Sequence, residues 1–93
     1  MCEDKIMNQY ASIDWKLFRE RLRGLRYVRG ADCKTTSQLC GLHDKAISEY
    51  ERGKRKPSAD ALVKISDHFM VSVDYLLGRD LQNIFMDGVQ IRQ

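Results

Sequence analysis

From Asp14 to Gly78 the chain is written as short apolar stretches of helical period, most of them closed by a glycine. Trp15, Phe18, Leu22, Leu25 and Val28 recur at steps of three and four, the stripe of one helix face, and Gly30 follows as a stop. Next, "ADCKTTSQLCGL" predicts a short helix opened by Asp32 as N-cap and ended near Gly41, with Thr36, Leu39 and Cys40 on its inner side. Thr35, Thr36 and Ser37 are poor helix formers in succession, so packing rather than propensity must hold this element. "LHDKAISEYERG" predicts another short helix from about Asp44 to Arg52, stopped by Gly53. Pro57 then breaks the chain, and Ser58 caps a helix with Leu62, Ile65 and Phe69 at helical spacing. "VSVDYLLG" adds a last one, with Ser72 as cap, Leu76 and Leu77 as apolar anchors and Gly78 as stop.

The expected fold is therefore all-α, a compact bundle of five short helices. At 93 residues there is room for one domain, and a single proline in a chain that is 43% hydrophobic and 31% charged agrees with helices. Residues 14–78 form that domain. Residues 1–13 show no clear period and are expected to be a mobile arm. The tail, residues 79–93, carries Leu81, Ile84 and Phe85 at steps of three and four, which allows a short sixth helix before Gly88. Those three residues either close the core or form a dimerisation face.

Charge and cysteine content narrow the partners. A formal charge of +3 permits nucleic acid or acidic membrane without compelling either. No apolar run approaches the roughly 18 residues of a membrane span, and the start "MCEDKIMNQY" is acidic and polar, so a cytoplasmic protein is expected. Cys2, Cys33 and Cys40 lack both zinc-ribbon spacing and an even count, which points away from disulfides and structural metal. Cys40 and His43 alone do not make a tetrahedral site. No set of serine, histidine and acid, no carboxylate pair and no phosphate-cradling glycine loop is present, so no enzyme and no cofactor are expected, with His43 and His68 as helix-start and helix-face residues. On the first helix Lys16, Arg19, Arg23 and Arg26 lie largely off the apolar stripe, either as a solvated face or as phosphate ligands.

Two short helices joined by a tight glycine-containing turn are the sequence form of a helix-turn-helix. Gly41, Ile47, Ser48, Glu51 and Gly53, the basic-Lys-Pro-Ser run after them and the closing Val-Ser-x-Asp-x-Leu-Leu-Gly sit in one register. From Phe18 to Gly78 the chain resembles the Cro and phage-repressor (XRE) helix-turn-helix family. The resemblance implies that the second short helix enters the major groove of double-stranded DNA N-terminal end first, with Asp44, Lys45, Ser48, Glu49 and Arg52 outward and Ile47 inward. Base-reading positions fall on Asp44, Lys45 and Glu49. A lysine suits guanine O6 and N7 and an acid suits cytosine N4, so a G·C-containing half-site is expected. Lys34, Arg52, Lys54, Arg55 and Lys56 fall where the phosphate backbone passes, and amides near Cys33 and Lys34 offer an anion site partly opposed by Asp32. Glu51 is implied to turn inward and pair with Arg26.

The chain also departs from the family pattern. Cys33 stands where a glutamine contact is usual, Thr36 and Ser37 replace leucine and alanine, which predicts a less tightly packed element, and Asp44 with Glu49 makes the reading helix acidic, which predicts modest nonspecific affinity. The resemblance implies a sequence-specific transcriptional regulator, a phage- or prophage-type repressor acting as a homodimer on half-sites about 34 Å apart, with no membrane and no small-molecule ligand. The alternative is a protein-interaction module on the same fold, an antitoxin or antirepressor subunit.

Overall fold

Four capping side chains set where the helices begin. The structure, a computed structural model, describes residues 13–79. It contains α1 (Trp15–Arg29), α2 (Cys33–Leu39), α3 (Ala46–Glu51), α4 (Ala59–Phe69) and α5 (Val73–Leu76). Asp14 accepts from the Leu17 amide, Asp32 from Thr35 at 2.7 Å, Ser58 from Ala61 and Ser72 from Tyr75, so α1, α2, α4 and α5 each start on an oxygen that satisfies an otherwise orphaned N–H. The expected mobile arm, the sixth helix and the apolar residues Leu81, Ile84 and Phe85 lie outside the described residues.

Phe18 and Leu22 of α1 meet Ala46, Ile47 and Tyr50 of α3, Ala61, Ile65 and Phe69 of α4 and Leu76 of α5 in one buried cluster. Trp15 closes its edge, its ring 5.4 Å from Phe18 and nearly perpendicular. Burial of side chains this size is worth about 1.5–3 kcal/mol each, which is what lets helices of four to seven residues exist.

Two apolar assignments are corrected. Val28 is 85% exposed rather than on the inner stripe, because it lies roughly 80° round the axis from Phe18 at about 100° per residue. Leu39 is 62% exposed, because the buried line of α2 runs through Cys33, Thr36, Ser37 and Cys40 and leaves Leu39 on the outer side.

The expected looseness of α2 is also corrected. Thr36 and Ser37 are buried almost completely, and the Ser37 hydroxyl donates to Cys33 O at 2.8 Å while accepting the Ile47 N–H at 3.0 Å. That amide belongs to the first turn of α3, whose own N-cap residue Lys45 makes no side-chain cap bond. Ser37 therefore caps α3 from the neighbouring helix. α3 also starts at Ala46, two residues later than expected: Ala46 N–H bonds His43 O, a tight turn that leaves Asp44 and Lys45 ahead of the regular helix.

Gly53 ends α3 with φ +73°, its own amide bonding Tyr50 O and the Lys54 amide bonding Glu49 O, a glycine-dependent Schellman stop. α4 ends the same way on Met70, a non-glycine residue at φ +58° that the sequence did not mark as a stop.

Candidate nucleic-acid interface

α3 is held from behind by a carboxylate. Glu51 is 5% exposed, and Arg26 of α1, 13% exposed, grips it with both arms: Nε to Oε2 at 2.7 Å and Nη2 to Oε1 at 2.9 Å. Arg26 also donates to Ala31 O, tying the turn before α2 to the same point, and its guanidinium pKa is raised chiefly by the hydrogen bonds it donates to Glu51. Arg23, one turn earlier, donates to the Glu51 carbonyl at 3.2 Å. Neither reading of the basic face of α1, solvated or phosphate-binding, describes Arg26. Arg23 was not foreseen, although its i, i+3 relation to Arg26 places both on one face.

With Glu51 turned in, the other side of α3 is left open. Asp44, Lys45 and Arg52 are exposed and Ser48 is half-buried, while Ala46, Ile47 and Tyr50 face the core. The three residues expected at base edges differ in freedom. Lys45 makes no side-chain bond at the helix start. Asp44 accepts from Gln38 Nε2 at 3.1 Å, a bond across the turn that sequence spacing did not suggest. Glu49 is only 23% exposed, its Oε1 lying 3.2 Å from Arg55 Nε and 3.9 Å from His43 Nε2. The Arg55 contact brings opposite charges together without hydrogen-bond alignment, since Oε1 has no aligned donor.

The cationic bend beyond Gly53 is exposed at Lys54, Arg55 and Lys56. Arg55 leans on Glu49, and the Lys56 ammonium sits 5.2 Å from the Trp15 ring centroid. Lys34 is exposed at the start of α2. At that end the Asp32 carboxylate already takes the Thr35 amide, which holds its pKa below the ordinary value. Cys33 is half-buried against the core, and burial, then the nearby Glu51 charge, pushes its thiol pKa up, as expected of an inward packing residue. Cys40 is buried, its pKa raised by burial, and His43 is exposed beside Glu49. Among the described residues no group of three or more metal-ligating side chains exists, and no helix is long and apolar enough to cross a membrane.

Comparison with known proteins agrees with this geometry. The helix-turn-helix family model matches residues 34–76, from the start of α2 to the end of α5. The HTH-type transcriptional regulator ImmR of Bacillus subtilis is 38% identical over 61 residues, covering 66% of this chain and 48% of ImmR. AnsR, another HTH-type transcriptional regulator of that organism, is 36% identical over 68% of this chain and 54% of its own length. The chain thus spans about half the length of the curated relatives it matches. Among solved structures, the P22 c2 repressor in complex with a synthetic operator superposes with a TM-score of 0.64 at 31% identity, covering 69% of this chain and 97% of that one. The restriction-modification controller protein C.AhdI of Aeromonas hydrophila gives 0.60 at 30% identity, over 74% and 97%. With the two-helix unit, the inward glutamate and the glycine stop all in place, the chain belongs to the Cro/C1-type (XRE) helix-turn-helix family.

Proposed function

We propose that the chain is a sequence-specific DNA-binding transcriptional regulator, a repressor of phage or prophage type that works in the cytoplasm as a homodimer and needs no cofactor or small-molecule ligand. The observation that carries this is the open front of α3, with Asp44 and Lys45 exposed at its start and Arg52, Lys54, Arg55 and Lys56 along its exit. Lys45 donates to guanine and Asp44 accepts from cytosine N4. Glu49 joins them when Arg55 transfers from its carboxylate to a phosphate. Lys34, Arg52, Lys54 and Lys56 contact the backbone and set register. As a dimer the two copies of α3 meet half-sites about 34 Å apart.

Selection of bound duplexes from random DNA, followed by anisotropy titration across salt concentrations, tests the proposal. Log affinity is expected to fall with log salt at about −0.9 per phosphate neutralised. Lys54→Ala is expected to lower that slope by about one without changing sequence preference, and Lys45→Ala to relax preference at one base pair by about 1–3 kcal/mol. Weak, salt-insensitive binding to every selected duplex refutes it. A protein-interaction module on the same fold would rest on the acids at the reading helix, and it has less support because Glu49 is engaged by Arg55 and Asp44 by Gln38.

A further inference from the structure

Of the five arginines of α1, four donate to an oxygen of the protein: Arg21 to Tyr75 O, Arg23 to Glu51 O, Arg26 to the Glu51 carboxylate and Arg29 to His68 O. Arg19 donates to none among the described residues, although it is half-buried. Its planar fork of N–H groups is left for an acceptor from outside, and that fork matches the oxygens of a phosphate.

Gly53 determines where that fork lies. Arg19 reaches from α1 across the stop of α3, where a Cβ on Gly53 would touch its Cδ at 3.5 Å and its Nη1 at 3.6 Å. The guanidinium therefore rests at the root of the cationic bend. There Arg19, Arg55 and Lys56 line a cleft of about 30 Å³, and Trp15, Phe18 and Tyr50 supply much of the remaining lining. The Lys56 ammonium is 5.2 Å from the centroid of the Trp15 ring, and Trp15 is one helical turn before Arg19. Among the described residues only Arg55 of these three cations has a carboxylate beside it, that of Glu49. Charges of one sign in a cleft with apolar walls focus their field on what enters it.

The size of the cleft selects the ligand. A water needs roughly 10–15 Å³ of such space, so about two water-sized groups fit. A phosphodiester presents two unesterified oxygens of that size and keeps its ester oxygens and sugars outside. Free phosphate, with four oxygens and no chain to hold it over the opening, is the poorer match. We infer that one backbone phosphate of the bound duplex lies over this cleft, gripped by Arg19 from α1 as well as by Lys56 and Arg55 from the bend. This deepens the proposed function and rests on it: the phosphate contacts extend to α1, a helix whose other arginines are spent on the fold.

Anisotropy titration of the selected duplex, with single phosphates replaced in turn by neutral methylphosphonates, tests the inference. For the parent chain each contacted phosphate shows as a loss of affinity on replacement. Arg19→Ala is expected to weaken binding to the unmodified duplex roughly tenfold and to leave sequence preference unchanged. At one phosphate, the same one for Arg19→Ala and Lys56→Ala, replacement is expected to cost the variant much less than it costs the parent. Arg19→Gln, which keeps a polar stem over Gly53, is expected to behave alike and decides the matter if the alanine variant does not fold. An Arg19 variant that binds the unmodified duplex as tightly as the parent, or whose losses match the parent's at every phosphate, overturns the inference and leaves the proposed function standing. A parent chain that binds no duplex in a salt-dependent way overturns both. Inorganic phosphate, added at constant ionic strength, is expected to leave the thermal midpoint of the parent unmoved; a rise that Arg19→Ala abolishes assigns the cleft to the free ion and overturns the inference as well.

Discussion

Replacing Ser37 by alanine distinguishes the observed packing from what residue types alone suggest. Family resemblance makes alanine the more ordinary occupant, so type alone predicts that Ser37→Ala tightens α2 and stabilises the domain. The structure predicts the opposite sign. Ser37 is fully buried, and its hydroxyl is the acceptor of the Ile47 N–H in a helix of six residues that has no cap of its own. Alanine strands that amide away from water, at about 1–3 kcal/mol. Counted instead as a lost helix cap, the same bond is worth about 0.5–2 kcal/mol. Both figures describe one interaction, so they bracket rather than add, and about 2 kcal/mol is expected. In a domain of this size that lowers the thermal midpoint by roughly 8–16 °C. Urea titration followed by circular dichroism measures it, with the midpoint moving and the m-value constant. Hydrogen exchange adds a local readout, the Ile47 amide losing protection more than the amides in the middle of α4. A Ser37→Ala protein as stable as the parent, or more so, refutes the reasoning.

Glu51→Gln is expected to cost about 3 kcal/mol in urea titration because it leaves Arg26 buried without its counter-charge, whereas Arg23→Ala, at a side chain 48% exposed, costs less than about 1 kcal/mol. Met70→Gly is expected to stabilise by about 0.5 kcal/mol, since the Met70 side chain is 85% exposed and its left-handed backbone favours glycine. Burial, and secondarily Arg29, lowers the pKa of His68 below the usual 6.5; between the folded and usual values the unfolded chain binds more protons, so stability falls as pH drops below about 6.5 and His68→Gln flattens that fall in midpoints measured from pH 7.5 downward. Glu49→Gln is expected to free Arg55, raising affinity for random-sequence duplex and steepening the anisotropy salt dependence by about 0.9 per phosphate gained.

The helices were legible because their signals are local. Asp32, Ser58 and Ser72 each bond an amide three residues ahead, a relation that residue order displays directly, and Asp14 does the same for α1 without having been singled out as a cap. The apolar stripe was legible where the helix has neighbours and failed at Val28, where position around the axis near a helix end decides burial. Bonds between elements were the harder class. Ser37 reads as a weak helix former until Ile47 lies above it, and the Gln38 to Asp44 and Arg55 to Glu49 pairs follow from the angle between α2, α3 and the bend. Of the candidate interface, the exposure of Lys45, Arg52, Lys54, Arg55 and Lys56 was legible and the freedom of Glu49 was not: residue types do not say that Arg55 already lies against it. The end of α4 was missed because Met70 adopts a conformation that its type disfavours.

The acids around α3 explain how a reading helix with so many carboxylates can still approach a polyanion. Each already has a partner: Glu51 has the Arg26 guanidinium, Asp44 the Gln38 amide and Glu49 the nearby charge of Arg55. Glu51 is buried and its pair leaves the interface altogether, so its charge serves to fix the helix on α1 rather than to meet DNA. The other two pairs lie at the surface, and on the proposed function DNA binding is for them an exchange. Arg55 gains a phosphate only by leaving Glu49, and the released carboxylate is repelled by the duplex unless a base donor such as cytosine N4 receives it. On a sequence without that donor the exchange is a net loss, whereas on the matching sequence both charges end with partners. On the proposed function, an acidic reading helix of this kind trades affinity for arbitrary DNA against discrimination between sequences, through Arg55 as a residue that touches no base.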